Sequence, residues 1–354
     1  MGEVTKNFEQ EFAAFIGAKH TLAVTNATAA LHLACLAMGI GSGDEVIVPS
    51  LTFVATANAV RYTGATPVFA DVEGLDWLNI SPASIETRVT ERTRAILVVH
   101  YAGFPCDMPA IMEIAHHHNL VVLEDSAHAI GSMLEGRYLG TWGAIGCYSF
   151  FSNKNMTTGE GGMLATDDDA LAEKLRILRS HGMTSLSWDR HQGHAYSYDV
   201  VDLGYNYRID EMRSAMGRVQ LRKVRAGNQK RAELTALYRE LLAELAPQVQ
   251  LPFGEPRGTG CYHILPALLP PGTERIRFME ALKLRGIQTS IHYPPVHHFQ
   301  IYQEEWQTRG QPLSITEEAG TREVTLPLYP SMRLEQVHWV VQAVKEALQE
   351  LDAG

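Results

Sequence analysis

The chain has 354 residues, 45% of them hydrophobic and 20% charged, an ordinary composition for a globular protein and a length that suggests two domains. With 30 basic against 40 acidic side chains the formal charge is −10, which argues against nucleic acid as the main partner, because a phosphate backbone asks for a basic footprint. A local pocket for one small anion is compatible with that balance.

Cys35, Cys106, Cys147 and Cys261 lie too far apart for a CxxC metal pair or a disulfide framework, and they fit a reducing cytosol. No stretch approaches the roughly 18 uncharged apolar residues of a membrane span, and MGEVTKNFEQEF has no apolar signal core. The expectation is a cytoplasmic enzyme with neither nucleic acid nor membrane as partner.

In chain order, short apolar runs rich in β-branched residues occur at 21–25, 46–48, 66–70, 95–99, 120–124 and 144–150, as buried strands do. Helical patterns lie between them. One covers 27–38, with Leu31, Ala34, Cys35 and Met38 on one face; another covers 108–118, behind the turn-like FPCD. This alternation predicts an α/β fold with a mainly parallel sheet, helices on both faces and ligands at the carboxyl ends of the strands. A long charged helical stretch follows over about 210–245, then a Pro/Gly-rich passage, LPFGEPRGTG, that reads as linker or exposed loop. Beyond it come strand-like CYHILPALL, a helix over 273–285 and a terminal helix over 334–350. We expect a large domain over residues 1–240 and a small C-terminal α+β domain over 241–354.

Three segments carry chemistry, and they gain meaning together. TNATAALHLA, at 25–34, is a strand end turning into a helix whose first backbone N–H groups and dipole form an anion site. A plain N-cap by Asn26 or Thr28 is the competing reading. LVVLEDSAHA, at 120–129, ends an apolar strand on Asp125, where a carboxylate is costly without a cationic partner; His128 reaches the same pocket. A buried Asp capping the next turn is the alternative there. In CYSFFSNKNMTTGEGG, at 147–162, Lys154 sits between an apolar strand and a glycine-rich turn, a place where a half-buried lysine of lowered pKa suits a Schiff base. An exposed loop lysine is the alternative. In that order, an anion-binding helix start, a strand-end Asp and a loop Lys make a pyridoxal-phosphate site: phosphate on the helix, Asp on the ring nitrogen, Lys on the carbonyl carbon.

These strings, with GDEVIVPSLTFVATANAV, GATPVFADV, VVHYAGFPCDM, GYNYRIDE and HYPPVHHF, span nearly the whole chain. In that order they resemble the DegT/DnrJ/StrS family of nucleotide-sugar aminotransferases, within the aspartate-aminotransferase fold type. The resemblance implies that Lys154 is the Schiff-base lysine and Asp125 the partner of the pyridinium nitrogen. It implies phosphate contacts from Thr28, Ala29 and Ser149, an aromatic stacked on the cofactor ring at Phe53, and a hydrogen bond near the ring's phenolic oxygen from His128. Asn206 matches a residue that reaches the phosphate of the neighbouring subunit, so a homodimer with shared sites is implied. Arg208, His292 and Tyr293 are expected to face substrate. Members of that family usually open with a glycine-containing loop before the first long helix; the sequence here begins close to that helix, so no substrate contact is carried over near residue 1.

Other motifs are set aside. GIGSGDE, at 39–45, follows a helix and precedes a strand, the wrong order for a dinucleotide fingerprint. The three histidines at 116–118 do not share a helix face, and no acidic ligand lies close in sequence to His292, His297 and His298, so no metal is expected. The function expected is pyridoxal-phosphate-dependent transfer of an amino group from an amino acid, with L-glutamate as donor, to a nucleotide-linked keto-sugar. The rivals are a same-fold enzyme acting on a non-sugar carbonyl and a cofactor-binding regulator without turnover.

Overall fold

The computed structural model describes residues 1–184, 198–255, 257–303 and 311–353. The chain opens with helix α1, Glu3–Ile16, and strand β1, His20–Val24. Then follow α2 Ala27–Ala37, β2 Glu45–Pro49, α3 Ala55–Tyr62, β3 Thr66–Ala70, α4 Pro82–Glu86, β4 Thr93–Val99, α5 Met108–His117 and β5 Val121–Asp125. A small hairpin, β6 Met133–Leu134 and β7 Arg137–Tyr138, precedes β8 Ile145–Ser149, β9 Gly162–Thr166 and α6 Asp169–Leu178. Seven of these strands form one sheet in the order β1-β9-β8-β5-β4-β2-β3. Pairing is parallel from β3 through β2, β4 and β5 to β8, while β9 runs antiparallel to both its neighbours. The expected α/β fold, a mainly parallel sheet between helices, is what the chain adopts.

The unbroken apolar runs of the sequence follow from burial on both faces. Successive strand side chains point to opposite sides. Val46, Val48, Leu97 and Leu123 therefore enter a core shared with α2, α3 and α6. Ile47, Ile96, Val98 and Val122 enter the opposite core, with α4 and α5. Each such side chain contributes about 1.5–3 kcal/mol on burial. Six of the seven strands are the six runs; β9, GMLAT, escapes that reading because no β-branched residue marks it before Thr166. At its start Gly162 lies so close to the α2 entrance that an added Cβ would meet the Asn26 carbonyl carbon at 2.6 Å. The absence of a side chain there lets β9 run beside the start of α2.

The charged stretch over 210–245 is two helices, Glu211–Leu221 and Val224–Leu245. Their partners differ, which explains the break. The first buries Ser214 and Gly217 against α1, where Glu211 also accepts the N–H groups of Gly2, Val4 and Thr5 and so caps that helix with a negative charge. The second buries Leu234, Tyr238 and Leu242 in a separate core with Phe278, Leu282, Val337, Val341 and Val344. That core covers strands β10, Leu265–Leu268, and β11, Glu323–Leu326, which pair antiparallel. The expected helices at 273–285 and 334–350 occur as Arg275–Leu284 and Leu334–Ala353. The helix Ser314–Arg322 and β11 have no counterpart in the sequence reading.

Candidate active site

A cavity of about 380 Å³ opens where the parallel strands end. Thr28, Phe53, Asp125, His128, Ser149 and Lys154 line it. His292 and Tyr293 close it from the C-terminal part of the chain. Three other residues of the sequence reading are not in its wall. Ala29 is buried in α2, Asn206 is exposed, and Arg208 is half-buried with one guanidinium nitrogen lacking a hydrogen-bond partner among the described residues.

The helix start is built by Asn26. Its backbone is extended, and its side-chain oxygen accepts the Ala29 N–H at 2.8 Å. Asn26 is the N-cap, and the N–H of Ala29 is occupied. The N–H groups of Ala27 and Thr28, for which a helix offers no internal acceptor, sit on residues that line the cavity. Ser149, at the end of β8, adds a hydroxyl to the same wall.

The end of β5 carries two acids in succession, and alternation sends them apart. Glu124 is fully buried and accepts from Gly140 N and Gly143 N, both at 2.6 Å, with His100 Nε2 at 2.9 Å. Asp125 accepts from Thr56 Oγ1 at 2.9 Å and Ala127 N at 3.1 Å, and Thr52 backs Thr56 at 2.9 Å. Burial pushes the Asp125 carboxyl above the ordinary aspartate range, against those two hydrogen bonds and the nearby Lys154 charge. A buried carboxylate held in place yet still costly to ionise fits a cationic ring nitrogen.

Lys154 follows β8 in the loop that returns as β9, with its backbone N–H bonded to Phe151 O at 3.0 Å. Burial lowers its ammonium to about 8, with Asp125 pulling the other way. An amine at that value is nucleophilic at mildly alkaline pH. The side chain is half-buried and lies 3.5 Å from His263 Nε2.

His128 is a neutral imidazole, held well below its ordinary value by burial and by the Lys154 charge. Its Nδ1 accepts the Ala102 N–H at 3.3 Å, so Nε2 carries the proton and donates to Tyr293 Oη at 3.0 Å. Tyr293 in turn lies 5.7 Å, ring to ring, from Phe53 at the cavity mouth. The wall that holds His292 and Tyr293 is set from far away in sequence. Glu323 accepts the His292 N–H at 2.8 Å, Thr325 Oγ1 lies 2.8 Å from His292 Nδ1, and Tyr101 donates to the His292 carbonyl.

The sequence reading omits several residues of this site. His263, Glu323, Tyr101 and Thr56 owe their roles to contacts across 31 to 191 positions. The only local signal was a buried polar residue inside an apolar run, as in CYHIL. The fold also supplies an acidic partner that sequence proximity hides: His297 and His298 both reach Glu317, with their nitrogens at 2.6 and 3.0 Å from its Oε1. His297 Nδ1 is tied to Ser50 Oγ at 2.6 Å, so this cluster anchors the 296–298 turn to the loop after β2.

The residues present fit a phosphorylated pyridine aldehyde. The N–H donors of Ala27 and Thr28 with the Ser149 hydroxyl suit a phosphate, a buried acid suits a ring nitrogen, and an amine of lowered pKa suits a carbonyl. Fold and site together define a pyridoxal-phosphate enzyme of the aminotransferase class. The chain belongs to the DegT/DnrJ/EryC1/StrS aminotransferase family, whose model matches residues 1–345, and its cofactor is pyridoxal 5'-phosphate. It is 40% identical to the spore coat polysaccharide biosynthesis protein SpsC of Bacillus subtilis, over 99% of this chain and 91% of that one. Among solved structures, Helicobacter pylori PseC, an aminotransferase involved in the biosynthesis of pseudoaminic acid, superposes with a TM-score of 0.91 at 31% identity, covering 99% of this chain and 92% of that one. S. venezuelae DesV, solved with a ketimine intermediate, does so with a TM-score of 0.88 at 36% identity, covering 98% and 89%. Among the described residues no helix is long and apolar enough to cross a membrane.

Proposed function

We propose that this enzyme moves an amino group from an amino acid, L-glutamate, to the ketone of a nucleotide-linked sugar. The observation that carries the chemistry is the shared cavity of Lys154, Asp125 and the α2 start. The sugar acceptor is supported by the printed descriptions of PseC and SpsC, both concerned with saccharide synthesis.

When bound, pyridoxal phosphate supplies an electron sink and a carrier for the amino group. The chain's own residues do the rest. Ala27 and Thr28 N–H and the Ser149 hydroxyl hold the phosphate. The Asp125 carboxylate keeps a proton on the ring nitrogen, and Thr56 and the Ala127 N–H fix its orientation. Lys154 Nζ, as a free amine, would take the proton from the donor's Cα and hold it for return. His128, by donating to Tyr293 Oη, ties the cofactor wall to the C-terminal wall and helps exclude water.

The working unit proposed is a homodimer in which Asn206 serves the partner's phosphate. Its exposure, away from its own chain's cavity, supports that placement. A cytoplasmic location is supported by four buried, free cysteines. A division into two domains is supported by the separate core of the C-terminal part, to which the helix Val224–Leu245 contributes from before residue 240. The direct test of the acceptor uses enzyme already loaded with the donor's nitrogen. Nucleotide keto-sugars should restore the original absorption quickly; recovery with simple 2-oxo acids alone would make the protein an amino-acid transaminase.

A further inference from the structure

A chain of hydrogen bonds of fixed direction ends at Lys154. Two backbone carbonyls, which only accept, set it. Asn228 Nδ2 donates to Ile130 O at 2.9 Å, so Asn228 presents its Oδ1. Asn155 Nδ2 donates both to that oxygen, at 2.9 Å, and to Cys261 O, at 2.8 Å. Both amide hydrogens of Asn155 are thus in use, and its Oδ1 is left as an acceptor. His263 Nδ1 lies 2.9 Å from that Oδ1 and must carry the hydrogen. The opposite nitrogen, Nε2, is then a lone pair, and it lies 3.5 Å from Lys154 Nζ.

The ring itself is held rigidly. It is buried, its backbone N–H donates to Ala102 O at 2.9 Å, and its carbonyl accepts from Arg231 at 3.1 Å. The titratable groups that face it are Lys154, His128, Arg231 and His292, with the His128 ring 4.4 Å away. Burial first, then the Lys154 and Arg231 charges, disfavour a second proton on His263.

We propose that His263 is a positioning residue for Lys154: its Nε2 accepts a hydrogen bond from the lysine's amino group, which orients the amine's lone pair for proton transfer at the substrate. The inference rests on the role assigned above to Lys154. It adds a reason for the neighbouring Asn155, whose part is to lock the imidazole in one tautomer. A neutral acceptor suits this task. It holds an N–H without adding a negative charge, which would drive the ammonium upward and remove the free base.

The first test needs no substitution. In cofactor-free protein labelled with ¹⁵N-histidine, His263 should show a protonated Nδ1 and a bare Nε2 through the neutral range, and the Nε2 signal should shift as Lys154 titrates. A proton on Nε2 would overturn the proposal. The second compares His263→Leu with His263→Gln, which returns an acceptor near the Nε2 position. In the cofactor-free protein, pH-dependent labelling of Lys154 should have its midpoint at about 8. The midpoint should fall by about one unit in the leucine variant, because the hydrogen bond stabilises the ammonium, and return in the glutamine variant. With cofactor and glutamate, the leucine variant should slow the first half-reaction about 10- to 100-fold and enlarge the isotope effect from Cα-deuterated donor; glutamine should restore most of both. A leucine variant that is slow but keeps the labelling midpoint and isotope effect would assign His263 a structural role only. Failure of the protein to take up cofactor or respond to glutamate would instead reject the parent reading, while the labelling and tautomer results stand apart from it.

Discussion

The cavity has two walls of different construction. One consists of strand ends and the start of α2, where Asp125 ends β5, Ser149 ends β8 and Lys154 follows in the loop between β8 and β9. The other consists of the segment around His292 and Tyr293, held by Glu323, Thr325 and Tyr101 from other parts of the molecule. The first wall carries the groups that bind a cofactor and move protons. The second carries neutral, half-buried groups that shape the space opposite. Burial lowers His292 to about 4 and pushes the Tyr293 phenol above its ordinary value, so neither bears charge near neutral pH. A substitution in the first wall should therefore strike turnover, and one in the second should strike acceptor binding and the stability of the wall.

The largest effect belongs to Lys154→Ala. Without the amine, transamination should fall at least about 10²–10⁴-fold, the scale of a lost general base, in a steady-state assay with glutamate. Residual activity near that of the unaltered enzyme would place the chemistry elsewhere. Asp125→Asn comes next. The variant should still bind pyridoxal phosphate but lose about 10²–10³-fold in turnover, the scale of a removed electrostatic stabiliser, as read by half-reaction kinetics. Near-normal rates would refute its role on the ring nitrogen.

Subunit sharing gives an intermediate and separable effect. Lys154→Ala and Asn206→Ala homodimers should both be impaired. After subunit exchange, about half the dimers are mixed and each contains one intact site, so about a quarter of all sites should recover. No recovery despite demonstrated exchange would mean that both residues serve the same chain's site.

The second wall is probed most gently at Glu323. Burial pushes this carboxyl up to about 8, while its ordinary value is 4.5. Between those values the folded state keeps a proton that the unfolded state has lost. Stability should therefore fall as pH rises from about 5 to 8, by up to about 1.4 kcal/mol per unit. Glu323→Gln, which mimics the protonated acid, should flatten this slope in denaturant titrations and leave turnover nearly unchanged. Glu323→Ala should cost about 1–3 kcal/mol by leaving the His292 N–H unsatisfied, and it should raise the acceptor KM more than it lowers kcat. Equal slopes in wild type and Glu323→Gln would remove Glu323 from the account.

This contrast also sets what the sequence makes legible. The strands announce themselves through runs of Val, Ile and Leu because both faces of the sheet are buried. Asp125 stands out because a charge at the end of such a run needs a partner, and Lys154 stands out beside its glycine-rich turn. Both signals are local in sequence. His263 and Glu323 are not legible in this way, since each acts through a neighbour more than 30 positions distant. The break in the 210–245 helix is equally silent. It reflects a change of packing partner from α1 to the C-terminal helix, and no Gly or Pro marks residues 222–223.

The central claim is that the first wall binds pyridoxal phosphate through Lys154. Borohydride reduction of the purified, cofactor-loaded protein, followed by peptide mass mapping, tests it most directly. The account predicts one pyridoxyl adduct, on the peptide that contains Lys154, and loss of that adduct in Lys154→Ala. A stoichiometric adduct on any other lysine would contradict it.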